Sequence, residues 1–110
     1  MKTVVRSLVG ILVCCAALGA AQRSPRPKTH TITIDASAFS PASLTIKAGD
    51  SVVWINKDIV SHTATAAGPN GFESGTLDQG KSWKRRFVKK GDFPYGCRFH
   101  PTMKASLKVE

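Results

Sequence analysis

From Thr29 onward, apolar and polar residues alternate in short runs of period two. Ile32 and Ile34 interleave with Thr31, Thr33 and Asp35, the pattern of a strand with one face turned to a core. Phe39-Ser40-Pro41 interrupts the alternation, and Leu44 and Ile46 resume it in a second strand. Ala48-Gly49-Asp50 reads as a tight turn. The β-branched and aromatic run Ser51-Val52-Val53-Trp54-Ile55-Asn56 predicts a central strand. Residues 60–67 predict another, with His62 near its beginning, and a loop follows from Gly68 to about Gly75. In residues 82–87, Trp83 and Phe87 share a face, and Arg85 falls on that same face. This predicts either a bulge or a snorkelling arginine. Residues 93–97 run extended, and Leu107 and Val109 mark the last strand. Six to eight short strands, regular turn signals and no helical period predict an all-β Greek-key sandwich or barrel.

The first 21 residues break with this pattern. A short basic start, with Lys2 and Arg6, precedes an apolar run from Leu8 to about Ala21. That is the layout of a signal peptide, and the run is short for a membrane span. Gly19 and Ala21 place cleavage before Gln22, with Ala20 as the alternative last residue; a retained anchor is the competing reading. Cys14 and Cys15 have apolar sequence after them, and Val13 stands where lipid attachment needs a small residue. Both cysteines therefore belong to the segment expected to be removed. Residues 22–28, basic and with two prolines, read as a flexible leader. His30, at its edge, reads as a solvated residue.

Cleavage would leave residues 29–110 as one small domain behind its leader. Without Lys2 and Arg6, 14 basic residues stand against 7 acidic ones, a net charge of +7. Export also implies a periplasmic or secreted location and no stable insertion in the membrane after cleavage. Only Cys97 remains among the cysteines, so no internal disulfide can support the core. An unpaired cysteine in an oxidising compartment asks for a purpose, and a metal bond supplies one.

That purpose is legible in Cys97-Arg98-Phe99-His100-Pro101-Thr102-Met103. A thiolate, an imidazole and a thioether within seven residues suit copper better than the oxygen-seeking magnesium or calcium. Two histidines, a cysteine and a weak axial methionine make the blue-copper arrangement. His62, 35 residues before Cys97, is placed to complete the set from another strand. Zinc would accept the histidines and the cysteine, but methionine is a poor zinc ligand. Taken singly, Cys97 is an ordinary buried thiol, Met103 a core filler, and His62 and His100 plain polar residues; the combination is what points to a metal.

The chain resembles the cupredoxins, and among them the small plastocyanin/amicyanin-type carriers. The likeness spans roughly Thr29 to Glu110. It rests on Phe39-Ser40-Pro41, the Ala48-Gly49-Asp50 turn before Val52-Val53-Trp54-Ile55-Asn56, and Ser61-His62-Thr63. It is strongest at Gly91-Asp92-Phe93-Pro94-Tyr95-Gly96-Cys97 with His100 and Met103. The resemblance implies one copper ion per chain, cycling between Cu(I) and Cu(II) and held by His62, Cys97, His100 and Met103. Thr63 departs from the family pattern, in which several members carry an asparagine that braces the ligand loop.

The expectation is therefore a soluble, monomeric electron carrier and not an enzyme, since four protein ligands leave copper no open position. The alternative is a copper-delivery protein with the same ligands. A thiol hydrolase built on Cys97 lacks an orienting third group and oxyanion donors. The basic charge raises nucleic-acid binding, but no motif for it is present. Lys81, Lys84, Arg85, Arg86, Lys89 and Lys90 fall within ten residues, and Arg98 and Lys104 flank the ligand loop. These charges suit redox partner proteins that present an acidic docking face.

Overall fold

The computed structural model describes residues 26–110 and, ahead of them, Thr3 alone. Apart from Thr3, the expected signal segment lies outside the described residues, as does the leader up to Pro25.

Nine strand segments follow in order: β1 (Thr29–Asp35), β2 (Ala38–Ser40), β3 (Ser43–Ile46), β4 (Ser51–Asn56), β5 (Thr65–Ala66), β6 (Phe72–Glu73), β7 (Ser82–Arg86), β8 (Gly91–Gly96) and β9 (Lys104–Val109). They form two mixed sheets, ordered β2-β1-β4-β7 and β3-β9-β8-β5-β6. β1 runs parallel to β4, and β3 parallel to β9. The all-β sandwich expected from the sequence is present, and among the described residues no helix is long and apolar enough to cross a membrane.

The period-two pattern decides which side chains meet between the sheets. Ile32 and Ile34 of β1, Val52 and Trp54 of β4, and Leu107 and Val109 of β9 are all buried. Trp54 is the centre of the core. Its ring lies 5.3 Å from Trp83, 5.4 Å from Phe72 and 5.6 Å from Tyr95. Offset and edge-on contacts of this kind add to the area each ring removes from water. In β8 the alternation puts Phe93 and Tyr95 inward, and one step further it puts Cys97 inward too. The position of the thiol is thus a consequence of strand parity.

Four local expectations are refined. β2 and β6 add to the strand count, because Phe39 and Phe72 are core residues in segments that read as a break and a loop. The strand expected over residues 60–67 shrinks to Thr65–Ala66. Before it, an isolated His62–Leu77 bridge is joined by side-chain bonds: Asn56 Nδ2 donates to the Val60 and Leu77 carbonyls, and Ser74 Oγ accepts from the Ala64 amide. Arg85 produces no bulge, since β7 pairs with β4 without interruption from Ser82 to Arg86. Its guanidinium lies over Phe72 and Phe87, 5.7 and 5.4 Å from the ring centres, so it snorkels across the aromatic edge.

His30 is not a free, solvated residue. Its Nε2 lies 2.9 Å from Asp50 Oδ2, and its side chain is half-buried. Asp50 follows the left-handed Gly49 (φ 100°) in the turn before β4 and also accepts from the Lys28 and Lys47 amides. The Lys28 amide and then His30 hold its carboxyl down at about 2. A depressed carboxyl contributes stability above its unfolded value, about 3.9, and loses it as pH falls toward the folded one. Replacing Asp50 by Asn should therefore lower the urea midpoint at pH 7, and the gap from the parent protein should narrow between pH 4 and pH 2. A gap that stays constant over that range would remove Asp50 as a source of acid sensitivity.

Candidate metal centre

Two segments, the β8–β9 turn and the stretch that leads into its sheet neighbour β5, bring the expected donors together. β8 delivers Cys97, and the turn into β9 carries His100 and Met103. The turn is short because its ends are tied: the Cys97 amide donates to the Met103 carbonyl at 3.2 Å, and the Met103 amide to the His100 carbonyl at 2.9 Å. Gly96 allows this approach, since a Cβ there would lie 2.8 Å from the Met103 carbonyl oxygen. Any side chain at position 96 would prise β8 and β9 apart just before the ligands.

His62 comes from the other segment. It is fully buried and fixed by a two-way backbone bridge with Leu77. Its ring Nε2 lies 2.9 Å from Asp58 Oδ2, and Asp58 in turn accepts from the Ser37 amide. That His62 bond, followed by the Ser37 amide, holds the Asp58 carboxyl below the ordinary range. With Nε2–H donating to a carboxylate, Nδ1 keeps its lone pair free for a metal.

The donor atoms converge. Cys97 Sγ lies 3.8 Å from His62 Nδ1 and 3.6 Å from His100 Nδ1, and all three atoms fall within 4.8 Å of one another. Three ligands about 2.1 Å from a shared centre in a trigonal plane stand roughly 3.6 Å apart, so the triangle has the size a metal ion needs. Cys97 is nearly buried, His100 is half-exposed, and Met103 is buried at the end of the turn. Among the described residues this is the one cluster of histidine, cysteine and acidic side chains that is suited to hold a metal.

The sulfur is prepared to be a thiolate. Burial alone would oppose ionisation, but the Thr63 amide, His100, the Phe99 amide and His62 outweigh it and bring the thiol down to about 6. The Thr63 and Phe99 amides both donate to Sγ at 3.4 Å. Such a site is matched to a soft, thiolate-seeking ion.

Thr63, the departure from the family pattern, performs the bracing itself. Its Oγ1 accepts from the Arg98 amide at 2.9 Å and lies 2.8 Å from Thr65 Oγ1. Thr65 donates to Glu73 Oε2, and Glu73 Oε1 lies 3.6 Å from Arg98 Nη1. The chain of contacts closes on the loop where it began. Asp58, Asn56 and Glu73 were not singled out from sequence. The placement of Asp58 four residues before His62 was the available signal.

Comparison with known proteins agrees with this geometry. The family model of the cupredoxin-like domain matches residues 8–109. Amicyanin-alpha of Methylorubrum extorquens is 28% identical over 102 residues, covering 89% of this chain and 85% of the relative. Amicyanin of Paracoccus versutus is 25% identical over 83 residues, which is 72% of this chain but only 63% of that protein's length. Among solved structures, the Cu-containing nitrite reductase of Thermus scotoductus superposes with a TM-score of 0.70 at 28% identity. The match takes in 80% of this chain and 23% of the reductase. Across nearly all of its length, this chain belongs to the cupredoxin-like family.

Proposed function

We propose that the protein is a type 1 copper electron carrier, with one copper ion held by His62, Cys97, His100 and Met103. The observation that carries this reading is the convergence of Cys97 Sγ, His62 Nδ1 and His100 Nδ1, with the thiol lowered in pKa by the Thr63 amide, His100, the Phe99 amide and His62. Bound there, copper supplies a reversible one-electron couple. Everything else is the work of the chain. Cys97 offers the strong anionic ligand and the covalent link back into β8. His62 is held by Asp58 from behind, so its ring cannot turn away. Thr63 fixes the Arg98 amide and hence the path of the turn. Met103 closes the loop and would offer a soft thioether as the fourth donor. A scaffold fixed in this way keeps one geometry in both oxidation states, which is what rapid electron exchange requires.

His100 is the half-exposed member of the set, so electrons pass through its outer edge. Ile59, Val60 and Phe99 are exposed apolar residues close to the ligands in sequence. They suit a small, transient contact with a redox partner protein. Arg98 and Lys104, at the two ends of the loop, favour a partner with an acidic docking face. The carrier reading also follows from donor count, because four protein ligands leave no position for a substrate, although the same fold serves within the nitrite reductase. The protein acts as a monomer in the periplasm or outside the cell, after removal of residues 1–21.

One equivalent of Cu(II) should give an intense thiolate-to-copper absorption, which Cys97→Ser should abolish; a surviving band would overturn the ligand set. Met103→Gln should keep the copper and lower the reduction potential, because a harder oxygen favours Cu(II). Asp58→Asn should raise the potential by removing a negative charge behind His62, and Asp58→Ala should weaken copper binding about 10- to 100-fold. Voltammetry and competition with a chelator read both effects, and an unchanged potential in Asp58→Asn would exclude its electrostatic role. Thr63→Val keeps the shape but orphans the Arg98 amide, at a cost of about 1–2 kcal/mol. It should speed copper loss to a chelator, and unaltered kinetics would show that the turn holds without this brace.

A further inference from the structure

Arg98 and Lys104 flank the ligand turn, but most of the unbalanced positive charge lies at the other end of the sandwich. Strand register and the turns it connects place the charged residues toward one end of the sandwich or the other. β8 runs from Gly91 to Gly96 and on to Cys97, while β7 pairs its Arg86 end with Ser51, the end of β4 farthest from Asn56 and His62. Six strand residues span roughly 20 Å, so the 87–90 turn lies far from the ligands. At the metal end, Lys57, Lys81, Arg98 and Lys104 are equalled in number by Asp35, Asp58, Glu73 and Asp78, with Arg98 and Glu73 in an ion pair. At the opposite end stand Arg26, Lys28, Lys47, Arg86, Lys89 and Lys90, all exposed. Lys108 is there as well, but it is the register partner of Asp92. The acidic residues left at that end are Glu110 and Asp50, and Asp50 is buried and already used by His30 and two amides.

Three separate pieces of chain bring these charges together: the entry into β1, the 47–50 turn and the 87–90 turn. Arg26, Lys28 and Lys47 line one open depression of about 500 Å³. Val88 stands out beside Lys89 and Lys90 at 68% exposure, with no packing role to explain it. An exposed apolar side chain next to lysines is a composition suited to resting on an anionic bilayer.

We propose that this end, opposite the metal centre, docks on an anionic phospholipid bilayer through its headgroups. Lys47, Lys89 and Lys90 supply the charge contacts and Val88 a shallow apolar one. Held so, the protein presents His100 away from the membrane. That orientation rests on the electron-carrier reading, whereas the binding itself does not.

The test sediments the copper-loaded protein with vesicles of equimolar phosphatidylglycerol and phosphatidylcholine, and with phosphatidylcholine alone. Binding is expected to the mixed vesicles only, and should be lost in molar salt because the screening length shrinks to about 3 Å. Each lysine near an anionic surface adds about fivefold to partitioning. The triple change Lys47→Gln, Lys89→Gln, Lys90→Gln should therefore weaken binding about 100-fold, and the same three positions as Arg should restore it. The variant Lys57→Gln, Lys81→Gln, Lys104→Gln alters net charge equally at the metal end and should bind nearly as the parent does. Equal loss in both Gln variants, equal binding to phosphatidylcholine alone, or no binding to the mixed vesicles would each overturn the proposal. A soluble reductant should reduce the vesicle-bound protein as fast as the free one, and a marked slowing would overturn the orientation. A protein that takes up no copper yet binds these vesicles would leave the docking surface standing and count against the carrier reading alone.

Discussion

An anion inside a protein interior needs donors that are already in place, and the Cys97 thiolate is the anion on which this structure depends. Strand parity carries the sulfur inward with Phe93 and Tyr95, where burial by itself would favour the neutral thiol. Two backbone amides, together with His100 and His62, reverse that preference. One belongs to Phe99 in the ligand turn and the other to Thr63 beside His62. The sulfur is therefore also a junction, because it draws both ligand-bearing segments toward itself.

Holding those segments in register is the task of residues that touch no metal. Asp58 fixes the His62 ring, and Asn56 gathers the Val60 and Leu77 carbonyls that shape the approach to it. On the other side, Thr63, Thr65, Glu73 and Arg98 form a closed circuit around the start of the ligand turn. Gly96 sets the distance between β8 and β9. Each contact is modest, but they constrain the same few atoms, so the geometry of the donors is set by the scaffold.

What the sequence disclosed follows from which interactions are local. Alternation in β1, β4, β8 and β9 is a property of neighbouring residues, and it was readable, as was the grouping of Cys97, His100 and Met103. His62 was readable because few other residues could supply the missing imidazole. The segment around His62 was less so. A β-branched run reads as a strand, yet the pairing there thins to the isolated His62–Leu77 bridge, with Asn56 and Ser74 side chains supplying further bonds. His30 misled for the same reason, since its partner Asp50 is 20 residues away and meets it through the parallel pairing of β1 with β4. The circuit through Glu73 joins three stretches of chain, and no spacing within any one of them announces it.

The charge run on β7 shows how one sequence feature divides between tasks. β7 is the edge of its sheet, and charged side chains on an edge strand discourage pairing with another chain. Arg85 lies across aromatic rings, while Arg86 donates to the Gly49 carbonyl. The central claim is that the scaffold, and not the ion, fixes the site in one geometry for both oxidation states. Electron self-exchange between oxidised and reduced copper protein, measured by NMR line broadening, tests this most directly. The account predicts that resonances near His62 and His100 in the reduced protein broaden in proportion to added oxidised protein, as rapid exchange demands. Sharp, separate resonances for the two forms across all mixtures would mean that the site rearranges between states, and would contradict it.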